Sequence, residues 1–61
     1  MSEIEQYLRA NGWLERAGIL VHFGQPRLGW KPEDGTLIIG WHEYPQKVTD
    51  LNELINIIKN L

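Results

Sequence analysis

The sequence has no cysteine, only three prolines and no long hydrophobic run. Without cysteine there is neither a disulfide framework nor a thiolate metal site, so we expect a reducing, cytoplasmic location. The longest uncharged apolar run covers residues 35–41, far short of the roughly 20 residues that span a bilayer. The acidic N-terminus lacks the apolar segment of a secretory signal. We therefore expect a chain without membrane attachment.

Residues that carry catalysis are also scarce. The single serine, Ser2, is expected to cap a helix, and Thr36 and Thr49 have no recognisable base around them. The two histidines, His22 and His42, are expected roughly 17 Å apart in the sheet described below, too far to share an ion. We therefore expect no enzyme activity, no metal and no cofactor.

The chain of 61 residues is long enough for one domain, and both of its ends carry helix signals. Ser2 and Glu5 form a capping box, and the Asn-Gly pair at 11–12 is a typical helix stop, with room for one further turn at 13–17. Asp50 and Glu53 give a second cap, ahead of an apolar stripe that runs to Leu61.

Between these helices the sequence alternates as strands do. Segments 18–23, 27–31 and 36–43 are predicted strands, separated by turns rich in proline and glycine. The predicted fold is α+β, in the order α-β-β-β-α. Its three-stranded antiparallel meander carries both helices on one face, as a single domain over residues 1–61.

Four-residue loops at 24–27 and 32–35 set a register that pairs Val21 with Trp30, and Trp30 with Leu37. The predicted core face then holds Ile19, Val21, Phe23, Leu28, Trp30, Leu37, Ile39 and Trp41. The opposite, open face holds Leu20, His22, Arg27, Gly29, Lys31, Thr36, Ile38, Gly40 and His42. This open face is expected to carry cations and no acid.

The predicted function follows from that asymmetry. We expect a small non-enzymatic protein-interaction module, an accessory or inhibitory factor, that binds a partner protein with an acidic surface. The expected partner-binding residues are Arg27, Lys31, His22 and His42 on the open face, together with Trp13, which lies at a helix–strand junction and is expected to be partly exposed.

Self-association is a further expectation. The apolar residues of the last helix spread over about 160°, wider than the roughly 100° that rests on a sheet. Ile57 lies at one edge of this sector, and with Leu61 it is the expected interface of a homodimer. The competing arrangement places the first helix over that edge.

Nucleic-acid binding is the alternative function. Residues 14–21, followed by a turn and a returning strand, resemble the recognition-helix-to-wing stretch of winged-helix regulators. The resemblance covers about a third of the chain and implies phosphate contacts from Arg16, Arg27 and Lys31. The net charge of −2 and the short stretch before the first strand weigh against it.

Overall fold

The computed structural model describes residues 2–61, in which two helices pack on a five-stranded antiparallel sheet. The strand order across the sheet is that of the chain, β1-β2-β3-β4-β5. The elements are α1 (Glu3–Ala10), β1 (Leu14–Arg16), β2 (Ile19–His22), β3 (Gln25–Trp30), β4 (Leu37–Ile39), β5 (His42–Glu43) and α2 (Leu51–Lys59). The α+β class is confirmed, and the meander has five strands where three were predicted.

Both helices begin at the predicted caps. The hydroxyl oxygen of Ser2 accepts a hydrogen bond from the backbone N–H of Glu5 at 3.1 Å. A carboxylate oxygen of Asp50 accepts from the N–H of Glu53 at 2.9 Å. Each bond satisfies a backbone donor that has no partner within the first helical turn, which is why these short sequences start helices here.

The additional strand β1 takes the place of the helical turn expected at 13–17. It pairs with β2 through a two-residue turn, Ala17 and Gly18, with φ angles of 55° and 81°. Two successive positive φ values are what a type I′ hairpin turn requires, and its twist suits two antiparallel strands. The structure therefore has no helix where the winged-helix resemblance placed one.

The register between β3 and β4 is confirmed, because Trp30 pairs with Leu37 and Leu28 pairs with Ile39. The register between β2 and β3 differs by one residue from the prediction, and Leu20, not Val21, is opposite Trp30. The cause lies in the connection. The turn consists of two residues, Phe23 and Gly24, and a register shift lies just before it, between Val21 and His22.

A one-residue slip exchanges the faces of a strand. Leu20 is fully buried in the core, whereas Ile19 and Val21 lie on the opposite face and are half-buried. Phe23 and Trp41, predicted on the core face, lie in turns and are 81% and 97% exposed. The buried hydrophobic core consists of Ile4, Leu8, Trp13, Leu20, Leu28, Trp30, Leu37, Val48 and Leu54.

The segment between β5 and α2 is held against the sheet by two hydrogen bonds at one residue. The indole N–H of Trp30 donates to the backbone oxygen of Val48 at 3.0 Å, inside the core. The N–H of Val48 donates to the backbone oxygen of Gly35 at 2.8 Å. These bonds fix where the chain leaves the sheet, and so they position α2 beside α1 on one face.

Candidate functional site: the open face of the sheet

The face of the sheet opposite the helices carries one continuous row of residues across all five strands. Residues that are directly paired in antiparallel strands share a face. The row, called here the cross-strand row, consists of Leu14, Val21, Gly29, Ile38 and Glu43. Neither α1 nor α2 covers it, since the helices pack against the core residues on the other side.

The middle of the cross-strand row is apolar and shallow. A Cβ atom built on Gly29 would lie 2.8 Å from the Cγ2 atom of Ile19, so the Ile19 side chain lies over this glycine. Ile19, Val21 and Ile38 are all half-buried. These side chains form an aliphatic surface that neither α1 nor α2 covers.

A groove of about 300 Å³ opens at the β1–β2 side of this surface. It is lined by Leu14, Arg16, Val21, His22, Phe23 and Pro26. Its size is at the lower end of the range of about 300–1,000 Å³ for ligand pockets. The groove is therefore large enough for one bulky apolar group, with a guanidinium and an imidazole at its wall.

Two exposed aromatic residues lie at the same end of the sheet as the groove. In an antiparallel meander, the β2–β3 and β4–β5 turns are at one end and the other two turns are at the opposite end. Phe23 lies in the first of these turns and Trp41 in the second. The strand spacing places the two turns about 9.6 Å apart.

Charge of opposite sign lies at the two edges of the open face. Arg16 on β1 pairs with Ile19, and Glu43 on β5 pairs with Ile38, so both belong to this face. The expectation of a face without acid is therefore wrong. It failed because β5 was read as the end of a longer strand, whereas the chain turns at Gly40 and Trp41.

The predicted cationic residues divide between different places. Arg27 is exposed on β3, on the open face, and its backbone oxygen accepts from the N–H of Gly40 at 2.7 Å. Lys31 follows β3 and is half-buried. His42 is exposed but pairs with Ile39, which places it on the side of the sheet that carries the helices.

Trp13 and His22 have structural contacts. Trp13 is 6% exposed and belongs to the core, so the expectation of a partly exposed contact residue is wrong. The two rings lie 5.9 Å apart and are tilted by 43°. The Nδ1 atom of His22 accepts from the N–H of Gly24 at 2.9 Å, which stabilises the β2–β3 turn.

The residues expected to form a helical dimer interface differ in exposure. Ile57 is half-buried and packs against the core, and Leu61 at the chain end is 64% exposed. The helices α1 and α2 also contact one another.

Sequence reasoning missed three residues of the open face, Leu14, Val21 and Glu43, and two exposed turn residues at its end, Phe23 and Trp41. It predicted each of them in a helix, on the core face or at a strand end. The signals that could have identified them are local. A glycine is the second residue of both two-residue turns, Ala17-Gly18 and Phe23-Gly24, which is only a weak hairpin signal; tight turns at both places give the observed register.

A separate polar cluster lies at the β3–β4 turn, at the other end of the sheet. Lys47 Nζ donates to Thr36 Oγ1 at 2.8 Å and to Asp34 Oδ2 at 3.3 Å, and the N–H of Thr36 donates to Asp34 Oδ1 at 2.9 Å. Hydrogen bonds from Thr36, assisted by Lys47, lower the pKa of Asp34 from 3.8 to about 2. The cluster stabilises a turn.

Residues 2–61 include no group of three or more histidine, cysteine, aspartate or glutamate side chains placed to hold a metal ion. Within the same residues, neither helix has the length and apolar character needed to cross a membrane. In comparisons with protein-family models, with curated proteins and with solved structures, the chain has no match.

Proposed function

We propose that this chain is a small, non-enzymatic protein-interaction module that binds another protein through the open face of its sheet. The observation that carries the proposal is the uncovered apolar part of the cross-strand row, from Leu14 to Ile38. Exposed apolar patches rimmed by polar residues are typical of protein interfaces on small soluble domains.

The charges at the rim favour a partner that brings a carboxylate. Arg16 lines the groove and Arg27 lies on the central strand, both on the open face. Guanidinium groups bind carboxylates through two parallel hydrogen bonds, which adds orientation to the apolar contact. The partner proposed here therefore presents an apolar side chain next to an acidic group.

Photo-crosslinking from two positions tests this proposal. A photoreactive phenylalanine derivative at Leu14, which is 50% exposed in the cross-strand row, is expected to give a covalent product with a bound protein. The matched control places the same residue at Asn52, which is exposed on α2. Equal products from both positions, or a product from Asn52 alone, would contradict the proposal.

A second candidate function is the binding of single-stranded nucleic acid at the turn end of the sheet. Arg27 lies on the strand between the turns that carry Phe23 and Trp41. Exposed aromatic rings stack on bases, and a neighbouring cation contacts phosphate. Both rings were predicted on the core face, where they could not stack on bases. Their exposure, 81% for Phe23 and 97% for Trp41, is the observation that favours this second function.

Salt dependence separates the two candidate functions. If a labelled single-stranded oligonucleotide binds, fluorescence anisotropy should show affinity that falls steeply with salt concentration, and Arg27→Gln should reduce the slope. The matched control is Lys59→Gln, at the last turn of α2. Absence of binding at low salt would exclude this second function.

A further inference from the structure

The open face has two halves that complement each other. The groove lies on the β1–β2 half and the almost fully exposed Trp41 lies at the tip of the β4–β5 turn, at the same end of the sheet. An indole left in water at this exposure forgoes the burial of about 150–250 Å² that an aromatic side chain usually gains. The same molecule therefore carries both an exposed indole and an open groove with apolar side chains in its lining.

A two-fold axis parallel to β3 brings these halves together. Such a rotation places two open faces against each other, with β1 of one copy opposite β5 of the other and with the turn ends level. The groove of one copy then faces the partner's Trp41, and the contact is repeated by symmetry. Within the same arrangement, Val21 faces the partner's Ile38.

We propose that the occupant of the open face is a second copy of this chain, and that Trp41 of each copy fills the groove of the other. This inference rests on the proposed function, because it uses the same face as a protein-binding surface. It places the homodimer interface on the sheet and not on α2.

The edge charges support the same arrangement. Arg16 on β1 lies opposite the strand that carries the partner's Glu43. Along the strands the two residues differ by two positions, about 6.8 Å, which two long side chains can span. This two-fold therefore gives two symmetric ion pairs, whereas a two-fold perpendicular to the strands would stack β1 on β1 and β5 on β5 in antiparallel order and place Glu43 opposite Glu43.

The area available is sufficient for a specific dimer. The molecule measures 23 × 21 × 21 Å and has an accessible surface of 4368 Å², so one of its six sides offers about 730 Å². Burial on two copies would total about 1,450 Å², and specific interfaces usually bury about 1,200–2,000 Å². The open face alone can therefore hold a second copy.

Sedimentation equilibrium over a micromolar concentration series is the first test. The expected mass approaches twice the 7.1 kDa of the chain. Trp41→Ala should raise the dimer Kd by at least about tenfold, as loss of an aromatic anchor does. It should leave the fold intact, because Trp41 is 97% exposed within one chain. Leu61→Ala, the control on the α2 side, should leave the Kd unchanged.

Charge reversal is the second test. Arg16→Glu and Glu43→Arg should each weaken the dimer, because each places like charges at both edges. The double variant should restore it, because the pairs are re-formed with opposite sign. Failure of the double variant to recover would overturn the proposed orientation, and wild-type mass that stays near 7.1 kDa would overturn the dimer itself.

The fluorescence of Trp41 gives an independent readout. Trp13 and Trp30 are buried, so the exposed component of tryptophan emission comes from Trp41. Its emission should shift to shorter wavelength as concentration rises, and an unchanged spectrum would contradict burial in a partner's groove.

If the chain is monomeric and Leu14 still crosslinks to a different protein, only the second-copy inference fails. If Leu14 crosslinks to nothing, the proposed function fails as well.

Discussion

Truncation of two neighbouring residues, Leu20 and Val21, tests the sheet register on which the open face depends. Leu20 is fully buried opposite Trp30, so Leu20→Ala leaves a cavity and should cost about 3–4 kcal/mol, within the usual range for buried leucine. Val21 is half-buried on the open face. Removing two half-exposed methyl groups in Val21→Ala should cost about 1 kcal/mol.

The difference is large for a domain of this size. At about 0.05–0.15 kcal/mol per residue, 61 residues give a total stability of about 3–9 kcal/mol, so Leu20→Ala should remove a third or more of it. Urea unfolding followed by circular dichroism measures both variants, in dilute solution so that self-association does not contribute. A Val21→Ala cost equal to or above that of Leu20→Ala would refute the register, because it would put Val21 in the core.

Two further predictions concern the β3–β4 turn. Gly35→Ala should destabilise the fold by about 1–3 kcal/mol more than Gly18→Ala. Both glycines have positive φ, so both substitutions strain the backbone. Only at Gly35 would the new Cβ atom also lie against the protein, 3.2 Å from the backbone oxygen of Val48. If urea unfolding showed that both variants lose the same free energy of unfolding, the β3–β4 turn would have to move enough to accommodate the new Cβ atom. The pKa of Asp34 is lower in the folded chain than its ordinary value, so its contribution to stability is present above pH 3.8 and is lost as the pH falls towards about 2. Thermal melts should therefore show wild type more stable than Asp34→Asn at neutral pH, with most of this advantage lost by pH 2. A difference that stays constant with pH would contradict the role of Thr36 and Lys47 as partners of the Asp34 carboxylate.

The parts of the fold that the sequence predicts correctly are those set by local chemistry. The caps at Ser2 and Asp50 depend on residues three positions apart, and both helices begin where they predict. The pairing of Trp30 with Leu37 follows from the turn at 32–35, in which a proline at the first position and a glycine at the last clearly mark where the chain reverses. In each case, the information lies within a few residues of the feature.

The parts that were wrong depend on how tightly the chain turns. Alanine at position 17 adopts φ 55°, which this residue type rarely does, so the β1–β2 hairpin has a weak sequence signal. At the next turn, a bond from Gly24 to His22 stabilises a connection of two residues instead of four. The resulting slip reversed the faces of Leu20 and Val21, and with them the assignment of the open face.

The order of strands in the sheet has a consequence for the rate of folding. Every strand pairs with its neighbour in the chain, so each hairpin closes a loop of only a few residues and costs little chain entropy. Domains dominated by such local pairings fold faster than sheets of mixed order. The bond from Trp30 to Val48 spans 18 residues, so the segment that leads into α2 closes a longer loop than any of the hairpins does. We therefore expect the hairpins to form early, with the late barrier set by closure of α2 over a preformed sheet.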